Sequence, residues 1–470
     1  MTSTAPSPAG RSGSTIDTKV IVSGRRERIR ASRLLHGSAW VLIGLAVQAV
    51  LSFSFWTLAA HVAMVDDVGR ASAMFTSIQF INYSTGLGLT IALARHATGT
   101  TREDDALFGW SVTAIAGASS LGALLFLAVS TSDAVGMATA STASRLVFAF
   151  YVSGMAVGLL TDVRMMAGRR WGWLVGRIAI VGVVRLPLVL VDVGIDEGIW
   201  LYHLMMAPLA IGGYASLFLL RVIGSGRLSW KRPKLLAPFA RFAGVNWLAT
   251  LASTAPQFVL PLVVLEHVTS SVYAGFFLAW TMTGMVFLVP GAISQILLVE
   301  GAKSAEAERE GQEAEMVVGS GASTQERQAL KFSLGVAVLA WVGSLAGAQL
   351  LSWIFGEDYD VLAHTLPALV VAGIPWAFTS VRLSEARLRR DQPATIAITL
   401  TLGLAILGPA LVWVPNWGVA GATRAWIIGN VVAAIVAQIF HRRRFTSRHS
   451  KPVAVSGQRS VMLRRAFTGR

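Results

Sequence analysis

Four arginines and one aspartate stand where ionised side chains are expensive. Arg145, Arg177, Arg185, Arg424 and Asp162 fall inside long apolar runs of a 470-residue chain that is 54% hydrophobic and 14% charged. An ionised side chain at the centre of a bilayer costs roughly 2.5–3.5 kcal/mol on insertion scales, so such residues mark pairs or sites. Arginine suits an anionic ligand, because it stays charged in low dielectric and its planar fork matches phosphate. Arg185 lies some six residues before the outer end of one run, and Arg424 some six after the outer end of another. At 1.5 Å per residue both are roughly 9 Å deep in the same leaflet, where one cavity can hold both. Arg145 and Arg177 are nearer run ends, where a long side chain snorkels to the interface. Arg70 is the one basic residue expected outside and is placed at the outer mouth. The competing reading for every one of these arginines is a structural ion pair.

Other candidates carry weaker chemistry. Asp162 with Arg164, and Arg382 with Glu385, flank the inner ends of two runs, at spacings that allow salt bridges within a helix or across the molecule. They are read as gate or coupling residues, against ordinary interfacial charge. Gln48, Asn82, Asn246 and Gln257 either line a cavity or bond across helices. The eight histidines form no ligand-spaced set, cysteine is absent, and no G-x-x-x-x-G-K-[ST] loop occurs. Metal, thiol and direct ATP chemistry therefore find no residues here, and no cofactor is expected. External loops of roughly three to ten residues leave no room for a catalytic domain, which argues against a polytopic polymerase or glycosyltransferase.

The elements that must position these residues are membrane spans. A span needs about 20 apolar residues, and twelve such stretches can be counted. They are 37–60, 71–94, 106–130, 141–163, 171–191, 198–220, 235–265, 273–299, 330–355, 361–381, 394–414 and 418–440. With the N-terminus inside, cytoplasmic segments hold 35 of the 40 basic residues, which satisfies the positive-inside rule and puts both termini in the cytoplasm. This topology accounts for the net charge of +15, and nucleic-acid binding is excluded as its explanation. Residues 1–36 and 441–470 are read as basic cytoplasmic tails, the first disordered. The 221–234 segment is an inter-lobe linker, and 300–329 a solvated, partly helical loop. Trp56, Trp200, Trp413 and Trp417 fall at external ends as interface anchors, and Pro256 and Pro261 are expected to kink the seventh span.

The chain also repeats itself. The segment 61–80 (HVAMVDDVGRASAMFTSIQF) aligns with 267–286 (HVTSSVYAGFFLAWTMTGMV), so that Gly69 meets Gly275. A second echo joins 151–191 to 372–397, where Val381-Arg382 answers Val163-Arg164. Six spans separate the copies, an even number, so the halves share one orientation, as in parallel transporter repeats. The expected domains are two six-helix lobes, 37–220 and 235–440.

Several local motifs then carry a resemblance. They are Gly37-Ser38-Ala39-Trp40 with Val68-Gly69-Arg70-Ala71, and Gly86-Leu87-Gly88-Leu89 followed by Leu93-Ala94-Arg95-His96. The second half adds Val289-Pro290-Gly291-Ala292-Ile293-Ser294 and Val414-Pro415-Asn416-Trp417-Gly418-Val419-Ala420-Gly421-Ala422. With twelve spans in order, the chain resembles the polysaccharide-unit flippases (Wzx-like) of the MOP superfamily, relatives of the MATE exporters and the MurJ lipid II flippases. The resemblance implies an all-α membrane protein of the MATE type, with two six-helix lobes around a cavity open alternately to each side. It implies a polyprenyl-pyrophosphate-linked oligosaccharide as cargo, with membrane lipids, a polysaccharide polymerase and glycosyltransferases as partners in the inner membrane. Headgroup binding would then fall to Arg185 and Arg424, helped by Arg145, Arg177, Arg70, Asn82, Asn246 and Gln48. A MATE-type exporter of small molecules is the alternative.

Overall fold

The computed structural model describes residues 40, 43–96, 101–130, 135–191, 194–309, 318–388 and 391–449. Both expected tails lie largely outside the described residues, as do Gly37-Ser38-Ala39 and the centre of the 300–329 loop. The described chain is helical almost throughout. Its helices are α1 (Ile43–Val62), α2 (Val65–His96), α3 (Arg102–Val129), α4 (Thr142–Ala167), α5 (Trp171–Leu188) and α6 (Glu197–Val222). The second half holds α7 (Leu236–Leu265), α8 (Ser270–Arg309), α9 (Val318–Phe355), α10 (Asp360–Val370), α11 (Gly373–Leu388) and α12 (Gln392–His449). Within the described residues, each of the twelve expected spans falls largely on helix. Most of these helices are long and apolar enough to cross a membrane.

Three boundaries differ from the sequence reading. The tenth span is broken into α10 and α11 at Val371-Ala372. Pro375 has no N–H for the Val371 carbonyl, which is taken by Ile374 instead at 3.1 Å. The eleventh and twelfth spans run together as α12, with the reversal concentrated at Gly418, whose φ of 53° and ψ of −131° only glycine adopts without strain. The 300–329 loop is partly helical, as expected, and the flanking helices reach further than the spans, α8 to Arg309 and α9 from Val318. Through both Pro256 and Pro261, α7 remains a continuous helix.

Helix starts follow local chemistry. Thr101 and Asp104 make a reciprocal capping box at α3, Ser141 caps α4, and Asp196 caps α6. In the first half α4 and α6 pack backbone to backbone, with Gly154 against Ala210 and Gly158 against Gly213. With lipid as apolar as leucine, such small-residue contact is what holds spans together.

The halves meet through α1, α2, α7 and α8. The inner half of α2 lies along α7: Tyr83 stacks on Phe258 at 3.7 Å, the Trp247 indole donates to the Ser84 carbonyl at 2.5 Å, and Arg95 sits 4.5 Å over Phe242. Nearer the outer side, α1 meets α8 where Trp56 packs on Phe277 at 4.9 Å, and Tyr273 donates to Thr76 Oγ1 at 2.8 Å. The repeat is visible in detail. His61 at the end of α1 bonds the Thr57 carbonyl at 2.7 Å, and His267 at the end of α7 bonds the Val263 carbonyl at 2.8 Å. Trp56 departs from expectation: it is 1% exposed in the contact between α1 and α8 and does not sit at the lipid interface. Trp417 is half exposed.

Candidate functional site

Arg185 is in the last turn of α5 and is 4% exposed. Its Nη1 lies 2.7 Å from the Met205 sulfur of α6, and its guanidinium sits 5.3 Å over the Phe55 ring of α1. Among the described residues it has no carboxylate partner, and its Nε meets no acceptor. A thioether is a weak acceptor and a ring face a weak anion substitute. The charge is thus enclosed and under-compensated. Phe55 packs on Trp56 at 5.2 Å, and Trp56 on Phe277 of the other half. Two rings therefore separate Arg185 from the boundary between the halves.

Arg424 is exposed on α12, with its guanidinium 4.9 Å over the Trp417 ring and no acid against it among the described residues. Arg185 and Arg424 come from different halves, as expected. Arg185 is enclosed whereas Arg424 is exposed.

The remaining arginines have partners. Arg177 grips Asp162 with Nη2 at 2.5 and 2.6 Å from the two carboxylate oxygens, joining α5 to α4. Arg164, 1% exposed, donates to Asp105 of α3 at 3.0 Å. Asp162 and Arg164 are two residues apart, so their side chains leave α4 on different faces and each finds its own partner. Arg382 does pair with Glu385, at 3.1 Å, and His441 Nδ1 lies 2.9 Å from the same carboxylate oxygen. A carboxylate only accepts and a guanidinium only donates, so Nδ1 of His441 donates to Glu385 in one tautomer and accepts from Arg382, at 3.1 Å, in the other. These side chains, with Asp391, line a small pocket between α11 and the two ends of α12.

At the outer end Arg70 pairs with Asp67 and, at 3.0 Å, with Asp196. Burial pushes the Asp196 carboxyl up, but the Ile199 N–H, the Arg70 guanidinium and the Gly198 N–H outweigh it and hold the group below its ordinary value. Arg145 is exposed and reaches the Thr139 carbonyl at 3.4 Å. Gln48 and Gln257 are exposed, and Asn246 bonds its own helix at the Phe242 carbonyl. Asn82 is 1% exposed in the middle of α2, and neither its oxygen nor its nitrogen has a partner. Sequence reasoning missed Asp105 and His441, because their partners lie 59 and 56 residues away.

Solved structures share this architecture. An inward-facing multidrug-resistance MATE transporter of the MOP superfamily matches 87% of this chain and 99% of its own, with TM-score 0.59 at 16% identity. The fold is that of the MATE transporters. An outward-facing MATE transporter gives TM-score 0.55 over 88% of this chain and 95% of its own, also at 16% identity. A MOP-superfamily transporter from Pyrococcus furiosus, for which reverse polarity of the binding pocket is described as suggesting a different function, gives TM-score 0.52 at 14% identity, covering 88% of this chain and 95% of its own. No protein-family profile and no curated protein matches the sequence. At these identities the MATE likeness concerns the fold.

Proposed function

We propose that this chain is a flippase that moves a polyprenyl-pyrophosphate-linked oligosaccharide from the cytoplasmic to the outer leaflet of the inner membrane, supplying surface polysaccharide. The observation that carries the reading is the enclosed guanidinium of Arg185 without a carboxylate. Its missing partner is an anion, and the pyrophosphate of a lipid-linked saccharide is one that enters from the membrane. Parting of the halves at Trp56 and Phe277 would uncover Phe55 and then Arg185. Arg424, from the other half, supplies a second cation with its ring contact already in place. Alternating access around a site between two repeats is how such folds move substrates without a continuous pore. Arg70, Arg145, Asn82, Asn246 and Gln48 are lesser partners in this reading, and Asp162, Arg164, Arg382 and Glu385 form the gate or coupling set.

The alternative is a MATE-type exporter of small molecules, favoured by the fold likeness alone. A cationic drug needs a free acid within the spans, whereas Asp162 is bound by Arg177 through both oxygens. A MurJ-like lipid II flippase would share the anionic headgroup and differ in the sugar. The test is Arg185→Ala and Arg424→Ala in the native host, scored for surface polysaccharide and for protein in the membrane fraction. Loss of polysaccharide with normal protein supports the reading, and Arg185→Lys should restore it only partly, since the planar fork is lost. Normal export by both alanine variants overturns it. Unchanged polysaccharide with altered drug susceptibility would favour the exporter.

A further inference from the structure

The segment between α6 and α7 has no regular structure, yet it is fastened along its length. Arg170 donates to the Ile223 carbonyl at 2.9 Å and to Ser225 Oγ at 3.1 Å. The Arg227 N–H donates to Asp105 at 3.1 Å, Ser229 packs its backbone on Gly109, and the Trp230 indole donates to Thr113 at 3.1 Å. The Leu235 N–H then returns to Glu103 at 3.0 Å. Asp105, Gly109 and Thr113 are four residues apart, one face of α3. The loop therefore climbs that face by about 12 Å at 1.5 Å per residue, and doubles back.

What the loop presents at its turn is distinctive. Trp230 is 63% exposed although its indole N–H is satisfied, so its apolar ring faces outward. Trp110 of α3 is also exposed, and higher up the helix Leu121, Leu124 and Leu125 turn outward as a lipid-facing surface. Lys231, Arg232 and Lys234 follow directly and are exposed, with no ion pair among the described residues. The nearby acids are already engaged, Glu103 by the Leu235 N–H and Asp105 by Arg164 and the Arg227 N–H. Tryptophan belongs at the boundary between hydrocarbon and headgroups, and lysine and arginine belong just beyond it, at the phosphates.

We propose that this inter-lobe loop is a docking surface for anionic phospholipid headgroups of the surrounding bilayer. Trp230 seats at the hydrocarbon boundary, and Lys231, Arg232 and Lys234 hold the phosphates. Since the loop is fastened to α3 and to the turn between α4 and α5 and leads into α7, a lipid bound there bears on the joint between the halves. This inference rests on the membrane-spanning fold and is independent of the cargo.

The test uses the full-length protein in nanodiscs of phosphatidylcholine with or without phosphatidylglycerol, with retained lipid counted by native mass spectrometry. One basic side chain at an anionic surface contributes about fivefold in affinity. The variant Lys231→Gln/Arg232→Gln/Lys234→Gln should therefore lose about 10–100-fold in phosphatidylglycerol preference. A control variant on α9, Arg327→Gln/Lys331→Gln, should keep it. Brominated phosphatidylglycerol should quench wild-type fluorescence more than that of Trp230→Phe, and inorganic phosphate should not compete. Equal lipid retention by the triple variant, or equal loss in the α9 control, overturns the proposal.

Discussion

Replacing Arg185 by methionine tests whether its charge serves the fold or a ligand. In the resting structure the charge gains a contact with Phe55, worth up to about 2 kcal/mol when desolvated. Its other neighbour is the Met205 sulfur, a weak acceptor. Against this stands a desolvation penalty of several kcal/mol for a buried ion. Arg185→Met therefore removes an interaction set close to break-even or unfavourable. Arg177→Met is the matched control, because it deletes the same atoms and leaves a similar gap. There the deletion strands Asp162, whose two oxygens now face Arg177 at 2.5 and 2.6 Å. Breaking one side of a buried pair costs about 3–5 kcal/mol. The difference between the two variants isolates the electrostatic contribution, since the gap is common to both. Thermal unfolding in detergent should show Arg185→Met near or above wild type and Arg177→Met well below it, while Arg185→Met fails to restore surface polysaccharide. If Arg185→Met falls as far as Arg177→Met, the charge is structural and the proposed headgroup site is refuted.

Further outcomes follow from the same geometry. Adding Asp162→Asn to Arg177→Met should recover most of the lost stability, because the stranded charge is removed. Gly418→Ala should cost about 1–3 kcal/mol from backbone strain alone, since an added Cβ would meet only Val268 at an ordinary 3.5 Å; a denaturation series reads this directly. Asp105→Ala removes the acceptor shared by Arg164 and the Arg227 N–H, so amide exchange over 225–230 should rise while that of α12 stays unchanged. The Asp196 carboxyl is held below its ordinary value, so its stabilising share is present above about pH 4 and lost as pH falls through the lowered value. Asp196→Asn should flatten the acid limb of the stability profile, and an unchanged limb would disprove the role of the outer cluster.

Much of this protein was legible before any coordinates. Apolar run length located the helices that cross the bilayer, because a bilayer fixes how much chain must be hydrophobic. The Gly69 and Gly275 repeat and the Arg382–Glu385 pair three residues apart are local or periodic signals, visible along the chain. The break at Val371 was also local, written in Pro375 but hidden inside an apolar run.

What only the tertiary structure decided is which charges meet. Arg164 finds Asp105 and Arg177 finds Asp162 because helix packing, rather than spacing, brings those side chains within 3.0 Å. Trp56 lies at an outer helix end, where a tryptophan ordinarily anchors to the interface, and yet α8 covers it. Arg185 reads in the sequence like the other in-span arginines. It is distinguished by being enclosed against a sulfur and a ring, where Arg177 has a carboxylate and Arg145 and Arg424 are exposed, because the compensation of a buried charge is a property of its surroundings in space.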